Sequence, residues 1–485
     1  MEQPKITLVE LPPTSFGKLN SPKVKDVYTR FNLPARANPQ LHAILLQQGY
    51  ENVECIDPNI NRKGKLTDAN LERIAKSDYL LLSSITRTVV QTEELARFFK
   101  KANPKGKVIA GGMHVTFAPE ESLEWADVVV RHEGDKTLVE LLEKSERKQT
   151  LENVKGISYK VDNRIVNNEC RELLTAGELS SLPVPDYSIY SRRTGGVVNT
   201  SRGCPYACNF CCVTQFYGNK YRRESNSKIL KELSLVGKHS HSVFITDDNF
   251  AAKKSETKEL LREMIKRKNK LSCSCQLSTN SAFTSPHTNE IDEEFIKLLK
   301  EANFFGVYWG IESVNQKTLE SYNKPATAER NKLAVTAFRD AGLWSHGMMM
   351  IGGDEDTNKS LEEELLWAKE NLDSVQFFAP IPFPKTPFCE EMNRQGRILT
   401  KDYYLYDGLH VIVEPKHFSP YELQRKLLDM HRRFYDVRQR ETIKKSSHPW
   451  YKRILHAYAI KIMWDIEHEP QTITHLEKLK AGDKI

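Results

Sequence analysis

Cysteine is scarce in this chain, with nine residues in 485, and long apolar runs are missing altogether. Without a stretch of about 18 apolar residues, a transmembrane helix is excluded. The start, MEQPKITLVELPP, lacks the basic and apolar segments of a secretory signal peptide. We therefore expect a cytoplasmic protein, in which clustered cysteines hold metal more often than they form disulfides.

Charge of one sign is not concentrated anywhere. The net charge is +7, but basic runs such as RKNKLS and RRFYDVRQR are spread along the chain, as on solvated helix faces. No stripe alternates basic and aromatic residues in a recognisable binding module. We expect no nucleic-acid partner, and two or three domains in a chain of this length.

The first 147 residues alternate apolar runs with helical patterns. The runs are KITLVEL (5–11), NVECID (52–57), DYLLLSS (78–84), GKVIAGG (106–112) and ADVVVRHE (126–133). Continuous apolar strands separated by helices predict a parallel sheet covered on both faces. Residues 1–147 are thus predicted to form a flavodoxin-like (Rossmann-type) α/β domain.

Small and polar residues follow four of these strands, where such sheets bind ligands. The set is Thr14, Ser84, Thr86, Gly111, Gly112, His114, Glu133 and Gly134. Small residues at strand ends let a large flat ligand approach the backbone, or they are ordinary turn residues.

Residues 148–195 break the alternation. VKGISYKVDNRIVNN is typical of a hairpin turning at Asp162-Asn163, and SSLPVPDYSIY is a proline-bearing connector. This segment is predicted to link two domains.

From residue 196 to 395 the alternation resumes with six strand–helix units. The strands are GVVNTS (196–201), SVFITDD (242–248), LSCSCQLS (271–278), FGVYWGIE (305–312), SHGMMMIG (345–352) and VQFFAPI (375–381). They predict a partial (β/α)6 barrel with its active site at the carboxyl ends of the strands.

Residues 396–485 are predicted to be a helical C-terminal region. Ile454, Tyr458 and Ile462 share one helical face. That face docks either on the protein itself or on a membrane surface.

The first barrel strand leads into SRGCPYACNFCC (201–212). Cys204, Cys208 and Cys211 form C-x3-C-x2-C, and the adjacent Cys212 is a poor fourth ligand. Three thiolates on one loop hold three corners of a 4Fe-4S cluster and leave the fourth iron open, whereas a ferredoxin closes all four. A zinc site with a distant fourth ligand is the alternative.

With Phe210, the loop resembles the C-x3-C-x-aromatic-C loop of the radical S-adenosylmethionine (SAM) family. TDDNF (246–250), GIES (310–313), GMMMIGG (347–353) and PIPFPKTPF (380–388) extend the resemblance. Together with GGMH…EGD, they resemble the subgroup that carries a cobalamin (B12) domain before the barrel. The resemblance implies three cofactors: a 4Fe-4S cluster on the cysteines, SAM on the open iron, and cobalamin beyond the first sheet.

The predicted SAM-binding residues are Phe210, Asp247, Asp248, Asn249, Gln276, Glu312 and Ser313. Phe210 packs beside adenine by resemblance, or belongs to the core. A carboxylate at the end of the second barrel strand accepts the SAM ammonium group, or caps the next helix. No catalytic acid or base is predicted.

Two features depart from relatives. The motif D-x-H-x-x-G, which places histidine under cobalt in many B12 proteins, is absent, as is common in this subgroup. Lys385 stands where relatives often have glycine. His114 either approaches the corrin or is a turn residue.

The resemblance implies an enzyme, a B12-dependent radical SAM C-methyltransferase acting on an unidentified lipid, tetrapyrrole, peptide or metabolite. A ferredoxin or flavodoxin would donate electrons. A ring-forming or ring-rearranging cyclase is the nearest alternative, and a non-catalytic cobalamin-binding or electron-carrier protein is a remote one. The expected location is the cytoplasm, either free or peripheral to a membrane.

Overall fold

The computed structural model describes residues 3–12, 33–60, 64–189, 195–436 and 449–482. The chain forms two compact units, Met1–Asn199 with Arg222–Ser240, and Thr200–Tyr221 with His241–Ile485. Within the described ranges, no helix has both the length and the apolar character needed to cross a bilayer.

The first unit is built on a seven-stranded sheet. Its strands are β1 (Ile6–Glu10), β2 (Val53–Ile56), β3 (Tyr79–Ser83), β4 (Lys107–Gly111), β5 (Val128–Val130), β6 (Ile157–Val161) and β7 (Arg164–Asn167). The spatial order is β2-β1-β3-β4-β5-β6-β7, with β1 to β5 parallel. The order 2-1-3-4-5 is that of a flavodoxin-like sheet, so the predicted α/β fold is confirmed.

Helices cover this sheet. They are α1 (Ala37–Gln47), α2 (Asp68–Ala75), α3 (Val89–Ala102), α4 (Met113–Phe117), α5 (Pro119–Ser122), α6 (Gly134–Glu146) and α7 (Ala176–Ser181). Leu8, Leu81 and Ile109 from the strands share a core with Leu45 of α1 and Leu141 of α6. Burial under helices is why these strands are unbroken apolar runs in the sequence.

The predicted hairpin joins this sheet. Asp162 (φ 47°) and Asn163 (φ 64°) adopt the left-handed conformation that a two-residue turn requires. The hairpin pairs antiparallel with β5. Part of the predicted linker is therefore a structural extension of the first sheet.

The first unit also contains β8 (Gly196–Val198), β10 (Arg222–Arg223) and α9 (Asn226–Val236). Glu232 of α9 is completely buried. It pairs with Arg36 at 3.2 Å and accepts a hydrogen bond from Tyr187 Oη at 3.0 Å. These contacts join α9 to Arg36 and Tyr187 of the same unit.

The second unit contains five strands of the six-stranded second sheet. They are β11 (Ser242–Ile245), β12 (Ser272–Ser278), β13 (Phe304–Glu312), β14 (Trp344–Met350) and β15 (Ser374–Phe378). All neighbours pair in parallel and in chain order, as in the predicted partial barrel. The short strand β9 (Ser201–Arg202) precedes the cysteine loop.

The remaining helices of the second unit are α8 (Cys212–Tyr217), α10 (Lys254–Lys266), α11 (Glu293–Glu301), α12 (Gln316–Ser321), α13 (Ala328–Asp340), α14 (Asn358–Asn371), α15 (Pro387–Arg394), α16 (Pro420–Phe434), α17 (Pro449–Glu467) and α18 (Pro470–Ala481). Trp309 of β13 is buried against Phe338 of α13, with ring centroids 4.7 Å apart. Residues on the opposite face of the strands, such as Gln276 and Tyr308, are only half-buried. They line the open inner surface of the barrel.

Helix α16 protects the free edge of β15. The backbone N–H of Val375 donates to Tyr435 Oη at 3.0 Å, and that of Phe377 donates to His431 Nε2 at 3.1 Å. Side chains thus satisfy groups that an exposed edge strand would offer to another chain.

In helix α17, Ile454 of the predicted docking face does not pack on the protein. Ile454 is 48% exposed, whereas Lys452 and His456 are buried together with Met463 and Ile466. Lys452 Nζ donates to the Leu372 carbonyl at 2.8 Å. Because its ammonium group has this internal partner, Lys452 can be buried. The apolar periodicity of the helix would not predict a lysine in the core. The Tyr458 side chain lies outside the described parts of the chain.

Candidate functional site

The cysteine loop runs from β9 to α8. Gly203, which opens it, has φ 85°, and a Cβ there would lie 2.2 Å from the Lys220 carbonyl oxygen. Glycine is therefore required before Cys204.

Cys204, Cys208 and Cys211 are all free thiols. Burial raises the pKa of Cys204 and Cys211 to about 11 and also raises that of Cys208. Each of the three pKa values is raised further by another member of the trio, which shows that the sulfurs are neighbours. The thiols stay protonated at neutral pH until a bound metal replaces their protons.

This donor set fits a 4Fe-4S cluster. In the described ranges, no three His, Cys, Asp or Glu side chains converge on the position of a single ion. A cluster requires no such convergence, because each thiolate bonds to a different iron.

The loop is held by the turn after α12. Asn209 donates its backbone N–H to the Tyr322 carbonyl at 3.1 Å and its side-chain amide to the Ser321 carbonyl at 2.8 Å. The Asn323 amide donates to the Ala207 carbonyl at 2.8 Å. These bonds fix the loop backbone without using the thiols. Asn209 and Asn323 were not predicted as site residues, because nothing local in the sequence links them.

Asn209 also contacts helix α15. The Phe388 backbone N–H donates to the Asn209 carbonyl at 3.0 Å. Shortly before this helix, Lys385 is exposed and has φ 63°, a conformation that costs glycine nothing. This matches the glycine expected there in relatives.

Asp247, a predicted SAM-binding residue, has internal partners. It is fully buried, and its carboxylate accepts the Thr200 backbone N–H and the Ser201 hydroxyl, both at 2.6 Å. The Thr200 hydroxyl and the Ser201 backbone N–H add two more hydrogen bonds. The carboxylate therefore holds the strand that enters the cysteine loop.

Asp248, the next residue, keeps an exposed side chain on the inner wall of the barrel. It accepts the Gly203 backbone N–H at 3.2 Å. Desolvation by its crowded surroundings, followed by the charge of Asp247, raises the pKa of Asp248 to about 6. At neutral pH it is mainly ionised and can accept an ammonium group.

Asn249 and Ser313 are buried and internally bonded. Asn249 Oδ1 accepts the Ser278 backbone N–H at 3.3 Å, and the Ser313 hydroxyl donates to Glu364. Both residues therefore have an internal partner at a strand end, and their contact with SAM stays a prediction.

Glu312 ends β13 beside a register shift and has φ 61°. Its carboxylate pairs with Lys324 Nζ at 2.6 Å, and both side chains are largely buried. Sequence reasoning missed Lys324, since a lone lysine twelve positions downstream carries no local signal.

Phe210 is half-buried on the cysteine loop. Its ring meets that of Tyr322 edge-on, with centroids 5.4 Å apart. The side chain thus packs on the turn after α12 and keeps an accessible surface.

The inner surface of the barrel carries a row of half-buried side chains. Gln276, Tyr308 and His346 are neighbours in strand register, and the Tyr308 and His346 ring centroids are 4.8 Å apart. Ser374 Oγ accepts the Trp344 indole N–H at 3.0 Å and lies 2.8 Å from His346 Nδ1. Either Ser374 Oγ or His346 Nδ1 can be the donor in this contact, depending on the tautomer of the ring.

In the first unit, the ends of β3 and β4 approach each other closely. Gly112 has φ 102°, and a Cβ there would lie 2.4 Å from the Ser84 carbonyl oxygen. The Ser84 backbone N–H donates to the Gly111 carbonyl at 3.1 Å. The exposed edge at this point is backbone and glycine, as a flat ligand requires.

Other residues predicted for this edge differ in exposure. Gly134 begins α6 and is half-buried. Thr86 and His114 are buried, and burial lowers the pKa of His114 to about 4, so its ring is neutral at pH 7. Thr14 lies outside the described residues.

Glu133, a predicted cobalamin-site residue, is buried. Its carboxylate accepts both the Leu174 backbone N–H and Arg222 Nη1 at 2.8 Å. It therefore forms an internal ion pair. His132, which was not predicted, has φ 60° at the end of β5.

Two family models match the chain. The model of the radical SAM superfamily matches residues 198–368, a range that includes the cysteine loop. The B12 binding domain model matches residues 30–142, a range that includes the glycine edge of the first unit.

Similar proteins include two methyltransferases and a cyclase. An uncharacterized methyltransferase of Pyrococcus horikoshii is 27% identical over 386 residues, 76% of this chain and 82% of that protein. The anaerobic magnesium-protoporphyrin IX monomethyl ester cyclase of Cereibacter sphaeroides is 27% identical over 81% of this chain, which spans 65% of the cyclase's length. The bacteriochlorophyllide d C-8(2)-methyltransferase of Chlorobaculum tepidum is 29% identical over 72% of this chain and 76% of its own.

Solved structures share the fold. The cobalamin-dependent SAM radical enzyme OxsB, with aqua-cobalamin bound, has a TM-score of 0.70 and 18% identity, covering 96% of this chain and 72% of its own. The radical SAM methyltransferase TsrM from Kitasatospora setae, with cobalamin and cluster bound, has a TM-score of 0.67 and 19% identity, covering 81% of this chain and 75% of its own.

Proposed function

Because the chain belongs to the cobalamin-binding radical SAM family, we propose that it is a C-methyltransferase acting on an unactivated carbon of an organic substrate. The observation that carries the proposal is the trio of neighbouring free thiols on one loop at the entrance to the partial barrel. The two methyltransferases among the relatives support methyl transfer as the reaction.

Cys204, Cys208 and Cys211 would hold the 4Fe-4S cluster. When bound, the cluster would supply the electron for the reductive cleavage of SAM, and cobalamin would supply the methyl group. The chain itself contributes position and the exclusion of water.

For SAM, the accessible candidates are Asp248, Gln276 and Phe210. Glu312 is a further candidate, with a largely buried side chain. Asp248 is exposed and mainly ionised, so it would accept the ammonium group of SAM as a charge-assisted hydrogen bond. Gln276 faces the inner surface of the barrel, and Phe210 offers an apolar ring beside the loop.

For cobalamin, the candidates are Gly111, Gly112, Gly134 and the adjoining Ser84 and Thr86 backbone. We propose that no histidine binds cobalt from below, because the sequence lacks D-x-H-x-x-G and His114 is buried. The paramagnetic spectrum of the cob(II)alamin form would then lack nitrogen splitting from a lower ligand. Clear splitting by one nitrogen would contradict this part of the proposal.

The stoichiometry of SAM use tests the function. A methyltransferase of this kind consumes two SAM molecules per product, one yielding 5′-deoxyadenosine and one S-adenosylhomocysteine. Anaerobic turnover with cell extract, methyl-labelled SAM and cobalamin should give both nucleosides in near-equal amounts and a labelled product. Cys208→Ala is the control, because any homocysteine conjugate that it forms comes from corrinoid methylation without radical chemistry.

The second candidate function is ring formation without methyl transfer. The cyclase relative, which aligns with 81% of this chain, supports it. In the same experiment a cyclase would yield 5′-deoxyadenosine with an unlabelled product and no S-adenosylhomocysteine.

The finer assignments are proposals as well. We place the protein in the cytoplasm, with a ferredoxin or flavodoxin as electron donor. Any contact with a membrane surface would use the exposed face of α17, where Ile454 is 48% and Trp464 is 56% exposed.

A further inference from the structure

The turn after α12, Ser321 to Lys324, is attached to the cysteine loop at three points. Hydrogen bonds join Asn209 to Ser321 and Tyr322, and Asn323 to Ala207. Since these bonds flank Cys208 on both sides, the position of the turn is tied to the position of the thiols.

Lys324, the last residue of this turn, is a buried cation. Its ammonium group and the Glu312 carboxylate are 2.6 Å apart, with side-chain exposures of 9% and 12%. A Cβ on Gly310 would lie 2.9 Å from Glu312 Oε1 and 3.0 Å from Lys324 Nζ. The Glu312–Lys324 pair therefore packs against the backbone of β13 at Gly310, and this contact fixes its geometry.

Lys324 lies directly after Asn323, whose amide donates to the carbonyl of Ala207, the residue before Cys208. Its ammonium group therefore belongs to the segment that is bonded to the cysteine loop, and it is buried there with Glu312. A fixed positive charge next to a site that gains an electron stabilises the reduced form, more so in a buried environment.

We propose that Lys324, held by Glu312, is a positioning residue that raises the reduction potential of the cluster. The step is a one-electron reduction by an external donor of the ferredoxin or flavodoxin class. No bond forms or breaks, and no proton is transferred. This inference rests on the cluster assignment made under the proposed function.

The experiment is a spectroelectrochemical titration of the reconstituted full-length protein without SAM, with iron content measured for each variant. Lys324→Gln should shift the midpoint to a more negative potential, and Lys324→Arg should stay near the wild-type value. Glu312→Gln should shift it in the opposite direction, because it removes the compensating negative charge.

Asn323→Ala is the matched control, since it breaks the Ala207 hydrogen bond without changing charge. It should leave the midpoint unchanged. Equal shifts in Lys324→Gln and Asn323→Ala would overturn the proposal, as would an unchanged midpoint in Lys324→Gln. A change in SAM affinity with an unchanged SAM-free midpoint would also overturn it, because the lysine would then serve SAM.

If Lys324→Gln fails to take up iron, the charge-preserving Lys324→Arg and the opposite shift of Glu312→Gln still decide the question. A wild-type protein that binds no iron would refute the cluster assignment itself. That result is distinct from every shift described above.

Discussion

The residues at the strand ends differ in chemical character between the two units. At the edge of the first unit, Gly111 and Gly112 expose backbone, and the charged Glu133 is turned inward to Arg222. At the edge of the second unit, thiols, Asp248 and the Glu312–Lys324 pair supply reactive or charged side chains. A flat corrin needs space and backbone contact, whereas a cluster needs thiolates and a controlled charge.

Substitution of the cysteines should have the largest effect, because it should affect the second unit and leave the first unchanged. Single Cys204→Ala, Cys208→Ala and Cys211→Ala variants should lose essentially all cluster iron, because an open-corner cluster has no spare protein ligand. Iron per chain and the cluster's visible absorption measure the loss. Cobalamin binding should remain, since it depends on the other unit.

Cys212→Ala is the matched control and should keep about four irons per chain. If Cys212→Ala loses its iron while one of the other variants retains it, the ligand assignment is wrong.

Gly112→Ala should damage the first unit. The new Cβ would meet the Ser84 carbonyl oxygen at 2.4 Å at a φ of 102°. We expect a loss of stability of about 1–3 kcal/mol or more and weakened cobalamin binding, measured by thermal unfolding and equilibrium dialysis.

Gly111→Ala provides the comparison, because the nearest atom to its Cβ would be 3.9 Å away. It should fold normally. Equal stability of the two variants would contradict the close approach of the β3 and β4 ends.

Variants of Asp247 and Asp248 should distinguish a carboxylate that supports the fold from one that binds SAM. Asp247→Ala leaves buried donors on Thr200 and Ser201 without an acceptor, which should cost about 1–3 kcal/mol and reduce cluster retention. Asp248→Asn should keep the cluster and instead weaken SAM binding, measured by calorimetry. The idea fails if Asp247→Ala retains wild-type stability and cluster content.

The pH dependence of stability should reflect His431. Its Nδ1 donates to the Leu427 carbonyl at 2.9 Å while Nε2 accepts from Phe377, so the ring must be neutral. Burial lowers the pKa of His431 from 6.5 to about 4. Stability is therefore complete above pH 6.5 and falls as the pH drops towards 4, by up to about 3 kcal/mol from this residue.

His431→Gln keeps a hydrogen-bond acceptor but cannot titrate. Its urea unfolding midpoint should change less between pH 7.5 and pH 5 than that of the wild type. An identical pH dependence in the two proteins would show that His431 is not the group responsible.

Much of the architecture could be predicted because it depends on local patterns. Buried strands such as Tyr79–Ser83 and Ser272–Ser278 need continuous or alternating apolar residues, and the turn at Asp162-Asn163 needs residues that tolerate positive φ. The spacing of Cys204, Cys208 and Cys211 predicts a cluster loop, since one short loop would supply every protein ligand.

The roles of individual polar residues could not be predicted in this way. Asp247 and Asp248 are adjacent in one motif, yet their environments differ. The buried Asp247 carboxylate accepts four hydrogen bonds from Thr200 and Ser201, whereas Asp248 is exposed. On α17, Lys452 is buried because Leu372 and Asp373 receive its ammonium group.

The sequence alone therefore predicted the order of the two folds, three cysteines as cluster ligands and the family, since each prediction rests on residues close together in the chain. Only the tertiary structure shows which carboxylates have internal partners, and that Lys324 belongs to the turn bonded to the cysteine loop. Burial and charge pairing act through space, and partners such as Glu312 and Lys324 become neighbours only when the barrel has formed.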